Sequence, residues 1–254
     1  MYHILISGAS RGFGRCVALE FARSLPSIPC IFSLGSSPTS AEQLETLKDE
    51  IIAIRGTEKP SYFNLVNEDF GDIDELELLG DKFVLGPSSI SARYAKDEEV
   101  TGVIFINNAG SLGFLNKVET LELSHIQLAY NLNVTSSTYL TSHVLRKYKS
   151  HKNVKIHLVN ISSLAAVQPF SNWSLYCAGK AARDMFFKVI VEEHPDGDVR
   201  VLNYAPGPLD TDMQREIRVS STYQDKDTQS MFVKMKTDGS LVNPSESASK
   251  VPIL

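Results

Sequence analysis

The chain has 254 residues, of which 43 % are hydrophobic, and a formal net charge of -5, which suits one α/β domain over residues 1–254. The acidic balance argues against a nucleic-acid surface, and no basic run or apolar stretch of about 18 residues indicates a membrane partner. Three scattered cysteines, six histidines without metal-ligand spacing and the lack of a signal-peptide pattern predict reduced thiols, no metal and a cytoplasmic location.

The chain begins with the pattern of a dinucleotide-binding turn. Residues 2–7 are predicted to form a buried strand, residues 8–14 are rich in glycine, and residues 15–23 have a helical pattern. Glycine lets the backbone approach a pyrophosphate closely, and a helix N-terminus offers N–H groups to its charge. A purely structural turn is the alternative, but the flanking strand and helix favour cofactor binding. The predicted contacts are Gly8, Ser10, Arg11, Gly12, Phe13 and Gly14.

The second predicted strand, over residues 29–34, ends without an acidic residue. NAD-binding folds often place an acid at this point, where it holds the ribose 2′-hydroxyl. Arg11, in the glycine turn, is suited instead to a 2′-phosphate. The sequence therefore predicts NADP(H) rather than NAD as the cofactor.

The middle of the chain alternates helical and strand patterns. Such alternation predicts a Rossmann-like, doubly wound parallel sheet with helices on both faces. The predicted elements are helix 41–55, strand 62–66, helix 72–83, a polar excursion over 86–99, strand 102–106, a long helix within 121–148 that carries Asn133, strand 155–161, helix 174–193 and strand 199–204.

Glycine-rich or polar segments follow four of the predicted strands. They are the glycine turn, the run Asn107-Asn108-Ala109-Gly110, Ser163 and the pair Pro206-Gly207. In open parallel sheets, ligands bind beyond the carboxyl ends of the strands. We therefore expect these four segments to surround a ligand.

Tyr176 and Lys180 lie four residues apart in a helical pattern, so they project from the same face of the helix. A phenol is mostly protonated at neutral pH, and a nearby ammonium lowers its pKa. Tyr176 is therefore suited to act as a general acid towards a carbonyl oxygen. Ser163 reaches the same oxygen if the fifth strand and the helix pack side by side. The alternative for Tyr176 and Lys180 alone is a surface pair.

Taken together, these segments resemble the classical short-chain dehydrogenase/reductase family. The glycine turn, the run 107–110, Asn133, Ser163, Tyr176, Lys180 and Pro206-Gly207 occur in the family's order over residues 1 to about 212. The resemblance implies NADPH-dependent carbonyl reduction. Within the family, the sequence is most similar to the reductases that act on pterin side chains in tetrahydrobiopterin synthesis, which also implies a homodimer.

The resemblance implies a role for each matched residue. Tyr176 is expected to donate the proton, while Lys180 lowers its pKa and holds the nicotinamide ribose. Ser163 is expected to hydrogen-bond the substrate carbonyl, and Asn133 to support a proton-relay water. Besides the glycine turn, Tyr176 and Lys180, the implied cofactor contacts are Asp69, Phe70, Asn108, Ala109, Gly110, Pro206, Gly207, Leu209, Thr211 and Met213.

The sequence departs from these pterin reductases in two places. They carry an Arg near the end of the second strand that helps to hold the 2′-phosphate, whereas residues 33–36 here read Ser-Leu-Gly-Ser. They also continue through a last strand and an acid that anchors the pterin, so we expect that C-terminal strand to be missing here. Two alternatives follow, a reductase of other carbonyls or diketones and a catalytically weak NADP-binding protein.

Two further patterns carry predictions. Asn243 and Pro244 resemble a helix start, with Glu246 at the third helical position. The helix that carries Tyr176 presents small and large apolar residues together, which predicts that it joins the helix carrying Asn133 in a dimer interface. The residues concerned are Ala178, Ala181, Ala182, Met185, Phe186 and Val189.

Overall fold

The computed structural model describes residues 1–25, 27–56, 60–85, 89–90, 99–151, 153–220, 223 and 225–253. In this part of the chain, six parallel strands form one sheet in the order β3-β2-β1-β4-β5-β6. The sheet confirms the predicted doubly wound α/β fold. Its strands are β1 (Tyr2–Ser7), β2 (Cys30–Ser36), β3 (Ser61–Asn67), β4 (Gly102–Asn107), β5 (Lys155–Ile161) and β6 (Val199–Tyr204).

The strand order reverses between β1 and β4, and β6 lies at one edge of the sheet. After β1 the chain moves outwards to β2 and β3, then returns to the other side of β1 to form β4. The loops that leave β1 and β4 consequently diverge at the carboxyl edge. A crevice at this switch point is where such sheets bind ligands.

Helices cover both faces of the sheet. In chain order they are α1 (Gly12–Ser24), α2 (Ala41–Arg55), α3 (Leu76–Phe83), α4 (Leu123–Tyr130), a π-helical turn (Asn131–Ser136), α5 (Ser137–Tyr148), α6 (Ser174–Glu193), α7 (Asp212–Val219), α8 (Lys226–Thr237) and α9 (Pro244–Ala248).

Alternation along the strands divides the core into two layers. Leu5 points to one face, where it joins apolar residues of α3, α5 and α6, such as Phe187. Ile4 and Ile6 point to the other face, where they join α1, α2 and the segment around Val251. Successive strand side chains face opposite sides, so a strand that is buried on both faces is apolar throughout.

Several predicted boundaries need correction. Helix α3 begins at Leu76 rather than at residue 72, because the Asp69 and Asp72 carboxylates accept hydrogen bonds from the Gly71 and Asp74 backbone N–H groups at 2.8 and 3.1 Å. Such turns compete with the helix. Helix α1 begins at Gly12, inside the glycine turn, and the strands β2, β3 and β4 extend one or two residues beyond their predicted ends.

The prediction did not include α7 and α8, which follow β6. The predicted helix start at Asn243 is confirmed, since the Asn243 side chain accepts a hydrogen bond from the Ser245 N–H at 2.9 Å. The polar excursion predicted over residues 86–99 lies largely outside the described residues. Among the described helices, none combines the length and apolar character needed to cross a bilayer.

Candidate active site

The glycine turn after β1 leaves room for a ligand's phosphates. Gly8 and Gly12 have φ values of +68° and +55°, which favour glycine. A Cβ on Gly14 would lie 2.2 Å from the Gly8 carbonyl oxygen, so a larger residue would force the turn open. Helix α1 then starts without a side-chain cap or an acidic residue in its first turn. Its N–H groups therefore suit the pyrophosphate of a dinucleotide.

The remaining predicted residues of the turn occupy three different environments. The Arg11 guanidinium is exposed and lies 3.7 Å from the Asp212 carboxylate, which is also exposed. Ser10 is buried, and Phe13 lies in the core, where its ring stacks on Tyr204 with centroids 6.1 Å apart. Arg11 is thus the side chain of the turn with freedom to reach a phosphate.

The loop after β4 is fastened to the glycine turn by side-chain hydrogen bonds. The Asn108 amide donates to the carbonyl oxygens of Ser7 and Gly8, both at 3.0 Å. In return, the Ser7 hydroxyl accepts hydrogen bonds from the backbone N–H groups of Asn108 and Ala109, also at 3.0 Å. These bonds join the chain segments that leave β1 and β4 at the switch point. Backbone groups of both segments therefore border the cleft.

Asn133 lies in the π-helical turn between α4 and α5 and is buried. Its side-chain oxygen accepts a hydrogen bond from the Ser111 N–H at 2.9 Å, and its amide donates to the Ser111 carbonyl at 3.0 Å. A Cβ on Gly110 would lie 2.8 Å from the same side-chain oxygen. A π turn inside a helix is often found at a functional site, and here it presents Asn133 to the loop after β4.

Ser163, Tyr176 and Lys180 meet where β5 ends and α6 begins. Ser163 follows β5, and its hydroxyl oxygen accepts a hydrogen bond from the Ala165 N–H at 3.2 Å. Tyr176 and Lys180 are buried on one face of α6. The Lys180 ammonium donates to the Ile161 carbonyl at 2.7 Å and lies 5.5 Å from the centroid of the Tyr176 ring. The structure therefore brings together the three side chains that the sequence paired.

The electrostatics of Tyr176 differ from the expectation. Burial raises the pKa of Tyr176, while a hydrogen bond with Ser163 and the charge of Arg183 act in the opposite direction. Burial also lowers the pKa of Lys180 well below its ordinary value, and the neighbouring Arg183 charge adds to this effect. The Arg183 charge therefore also acts to lower the pKa of Tyr176, which the sequence analysis did not predict.

Two other predicted cofactor contacts lie beyond β3. Asp69 is exposed and accepts the hydrogen bond from Gly71, whereas Phe70 is buried. The Phe70 ring packs against Gly35, where a Cβ would lie 2.3 Å from it, and it meets the Phe83 ring edge-on with centroids 5.6 Å apart. Phe70 therefore closes the core beneath the end of β2.

The segment after β6 returns to the glycine turn. Gly207 has a φ of +87°, and Leu209 forms an isolated parallel bridge with Val242. The Thr211 methyl group would lie 3.7 Å from a Cβ on Gly12, so this segment borders the same cleft. Met213 is partly buried against the apolar cluster around Trp173 and Tyr176. Pro206 is half-buried, and its carbonyl accepts a hydrogen bond from the Ser247 hydroxyl at 3.0 Å.

The sequence analysis missed an aromatic cluster beside Tyr176. The Trp173 ring meets the Tyr176 ring edge-on, with centroids 5.6 Å apart, and stacks on Phe232 of α8 at 6.1 Å. The Trp173 indole N–H donates to the Tyr223 hydroxyl at 2.6 Å. The one tryptophan of the chain, three residues before Tyr176, was the available signal. Its partners Tyr223 and Phe232 follow it by 50 residues or more, so no local pattern revealed them.

A parallel sheet that joins a glycine turn to this Ser-Tyr-Lys group defines an oxidoreductase that uses a dinucleotide cofactor. The family model described as short chain dehydrogenase matches residues 93–221. The chain belongs to the short-chain dehydrogenase family, as its sequence motifs predicted.

Relatives in this family extend over nearly the whole chain. Sepiapterin reductase of Mus musculus is 38 % identical, over 97 % of this chain and 88 % of the relative. Benzil reductase ((S)-benzoin forming) of Bacillus subtilis is 29 % identical, over 94 % of this chain and 87 % of the relative. The structure of the angucycline C-6 ketoreductase LanV with bound NADP superposes with a TM-score of 0.74, at 17 % identity, and covers 100 % of this chain and 88 % of LanV.

Proposed function

We propose that this protein is an NADPH-dependent carbonyl reductase that acts on the side-chain carbonyls of pterins such as sepiapterin and 6-pyruvoyl-tetrahydropterin. The observation that carries the proposal is the meeting of Ser163, Tyr176 and Lys180 at the sheet edge where the glycine turn also follows its strand. The relatives named sepiapterin reductase, at 36–38 % identity, support the substrate class.

The residues of this site suit the proton half of a carbonyl reduction. The Ser163 hydroxyl donates a hydrogen bond to the substrate oxygen and fixes its position. Tyr176 donates its phenolic proton to the same oxygen as negative charge develops there. Burial keeps the phenol protonated, since it raises the pKa of Tyr176. Lys180, held by the Ile161 carbonyl, stands beside the phenol on the cofactor side.

The cofactor site fits NADPH in its phosphate-binding half. The turn 8–14 and the uncapped N-terminus of α1 would hold the pyrophosphate, and the exposed Arg11 would meet the 2′-phosphate. When it is bound, NADPH supplies the hydride for the carbonyl carbon. The loop 108–110 and the segment 206–213 then border the cofactor from the two sides of the cleft.

A second candidate function is the reduction of aromatic diketones. The aromatic cluster of Trp173, Tyr223 and Phe232 lines one side of Tyr176, and such a wall suits any flat aromatic compound. The Bacillus subtilis relative is named for benzil, which is a diketone. This function requires the same Ser163, Tyr176 and Lys180 and no pterin-specific contact.

We further propose that the protein works as a cytoplasmic homodimer through the outer face of α6. Met185 and Val189 are 59 % and 46 % exposed, and Ala178, Ala181 and Ala182 lie exposed beside them. A face of this kind lets helices approach closely and supplies apolar area for association. Leu128 of α4, the helix that leads into the turn carrying Asn133, is also exposed.

The test is a pair of turnover assays with the purified protein and NADPH, one with sepiapterin and one with benzil. Products are identified by chromatography, and a Tyr176→Phe variant serves as the blank. Faster turnover of sepiapterin, expressed as kcat/KM, supports pterin reduction, and faster turnover of benzil supports the second candidate. If neither compound is reduced although NADPH binds, carbonyl reduction of these classes is wrong.

A further inference from the structure

Arg183 is a fully buried charged residue that the mechanism above does not use. It follows Lys180 by three residues and Tyr176 by seven, so all three lie on one face of α6. It is the largest of the side chains that are almost wholly removed from solvent. A buried guanidinium is costly unless hydrogen bonds and charges compensate for the lost water.

Hydrogen bonds from Arg183 compensate for its burial and link three elements. Its Nε donates to the Asn160 side-chain oxygen on β5 at 2.8 Å. Its Nη1 donates to the Ala109 carbonyl at 3.1 Å, and its Nη2 donates to the Asn107 carbonyl. The rigid fork of arginine thus holds the last carbonyl of β4 and one carbonyl of the following loop against α6.

The loop after β4 is therefore held from both sides. Its N–H groups are bound by Ser7, and Asn108 holds the Gly8 carbonyl of the glycine turn. Its carbonyls are bound by Arg183. A Cβ on Gly110 would lie 3.8 Å from Nη1 of Arg183. One continuous chain of hydrogen bonds consequently connects the helix of Tyr176 with the phosphate-binding turn.

The network behind Arg183 supplies a partial counter-charge. Asp184 accepts hydrogen bonds from the Asn160 amide at 2.9 Å and from the Ser162 hydroxyl at 2.8 Å. Burial lowers the pKa of Arg183 to about 10, while Tyr176 and Asp184 act in the opposite direction. The guanidinium therefore remains cationic at neutral pH. Cys177 and Arg183 act on Tyr176, and Asp184 acts on Lys180 and Arg183. Tyr223 lies behind Trp173.

We propose that Arg183 is a positioning residue of this site, which fixes residues 107–110 to the catalytic helix and places a positive charge on the buried helix face that carries Tyr176. The proposal rests on the proposed function for its effect on turnover.

The experiment compares Arg183→Gln, which removes the charge, with Arg183→Lys, which keeps the charge but loses the fork. Lys188→Gln, on the exposed side of the same helix, is the matched control. Three quantities are measured in each variant. They are the dissociation constant of NADPH from its fluorescence, the pH dependence of carbonyl reduction, and the absorbance titration of the Tyr176 tyrosinate, with Tyr176→Phe as the background.

We expect both Arg183 variants to weaken NADPH binding about tenfold, because the loop loses its anchor. In Arg183→Gln the titration of Tyr176 should move to higher pH, and the alkaline limb of the reduction profile should move with it, because the nearby cation is gone. In Arg183→Lys the Tyr176 titration and the alkaline limb should stay close to those of the unaltered protein, because the positive charge is kept. Lys188→Gln should alter none of the three quantities.

The outcomes separate this proposal from the proposed function. The tyrosinate titration requires neither substrate nor cofactor, so it tests the charge of Arg183 even if the protein reduces no pterin. Arg183→Gln with unchanged NADPH affinity and unchanged Tyr176 titration would overturn the proposal, even if its melting temperature fell. If Arg183→Gln does not fold, Arg183→Lys decides the case, since unchanged NADPH affinity in that variant excludes the anchoring role.

Discussion

Tyr176 is 9 % exposed and is surrounded by groups that act on its proton in opposite directions. Burial favours the neutral phenol, and the Ser163 hydrogen bond and the Arg183 charge favour the phenolate. A proton donor must be protonated at the start of the step and must stabilise its anion at the end. Burial suits the first requirement and the Arg183 charge suits the second, while the single proton of Ser163 is free to turn from Tyr176 to the substrate oxygen.

Replacement of Tyr176 by Phe removes the proton donor and leaves the ring in place. We expect carbonyl reduction to fall by about 10²–10⁴-fold, the usual contribution of a general acid, while NADPH binds nearly as before. Initial rates and NADPH fluorescence measure the two effects. Tyr139→Phe, on α5 away from β5, is the control, and retained turnover in Tyr176→Phe would remove this residue from the mechanism.

We predict that Arg11 governs a second property at the scale of one residue, the preference for NADPH over NADH. We expect NADPH to bind more tightly, and Arg11→Ala to narrow the difference, because Arg11 is the exposed cation of the turn. Binding titrations with NADPH and with NADH measure the two dissociation constants and their ratio. Arg23→Ala, at the other end of α1, should leave the ratio unchanged. Equal affinities in the unaltered protein would contradict the prediction.

Helix α6 serves three purposes at the scale of one element. Its buried face carries Tyr176, Lys180 and Arg183, and the same face continues into the core at Phe187. Its outer face leaves Met185 and Val189 exposed. Because one helix carries both faces, an association along the outer face would also stiffen the catalytic residues.

A charge on that outer face should prevent association. We expect the unaltered protein to show a dimer mass by light scattering at micromolar concentration, and Val189→Glu to show a monomer mass, because symmetry places the two carboxylates close together. Val219→Glu, on the exposed side of α7, should leave the mass unchanged. A monomer mass for the unaltered protein would rule out this interface under these conditions.

At the scale of the whole molecule, a buried polar network joins β1, β2 and α5. His3 on β1 hydrogen-bonds the Tyr148 hydroxyl through Nδ1 and the Ser33 hydroxyl through Nε2, both at 2.7 Å. The Tyr148 hydroxyl in turn donates to the Leu85 carbonyl. Burial lowers the pKa of His3 to about 3, so the imidazole is neutral in the folded protein.

This network should make the protein sensitive to acid. The pKa of His3 is lower in the folded state than in the unfolded chain, so its contribution is complete above about pH 6.5 and is lost as the pH falls towards 3. Over that interval the free energy of unfolding should fall by up to about 1.4 kcal/mol per pH unit from this group. Urea unfolding at pH 7 and pH 5 measures the fall.

The control separates His3 from the carboxylates that titrate over the same interval. His3→Gln should show a smaller difference between the two pH values, although it is less stable at both. His151→Gln, at an exposed histidine, should behave like the unaltered protein. The same pH dependence in His3→Gln and in the unaltered protein would show that His3 does not cause the acid sensitivity.

The sequence alone determined the elements and motifs that depend on local pattern. Helix 174–193 and strand 199–204 were predicted with the bounds that the structure shows, because apolar periodicity and the residues at element ends are local. The glycine turn and the pairing of Tyr176 with Lys180 were likewise readable, since they need only a short stretch of backbone. The family followed from the order of these motifs.

Only the tertiary structure decided which distant groups surround Tyr176. The carbonyls that Arg183 binds precede Arg183 by 74 and 76 residues. Tyr223, whose hydroxyl accepts a hydrogen bond from the Trp173 indole, follows Trp173 by 50 residues. The sign of the pKa shift of Tyr176 depends on burial, which the whole fold creates. Hydrogen bonds and burial of this kind depend on distance in space, and a sequence pattern records only distance along the chain.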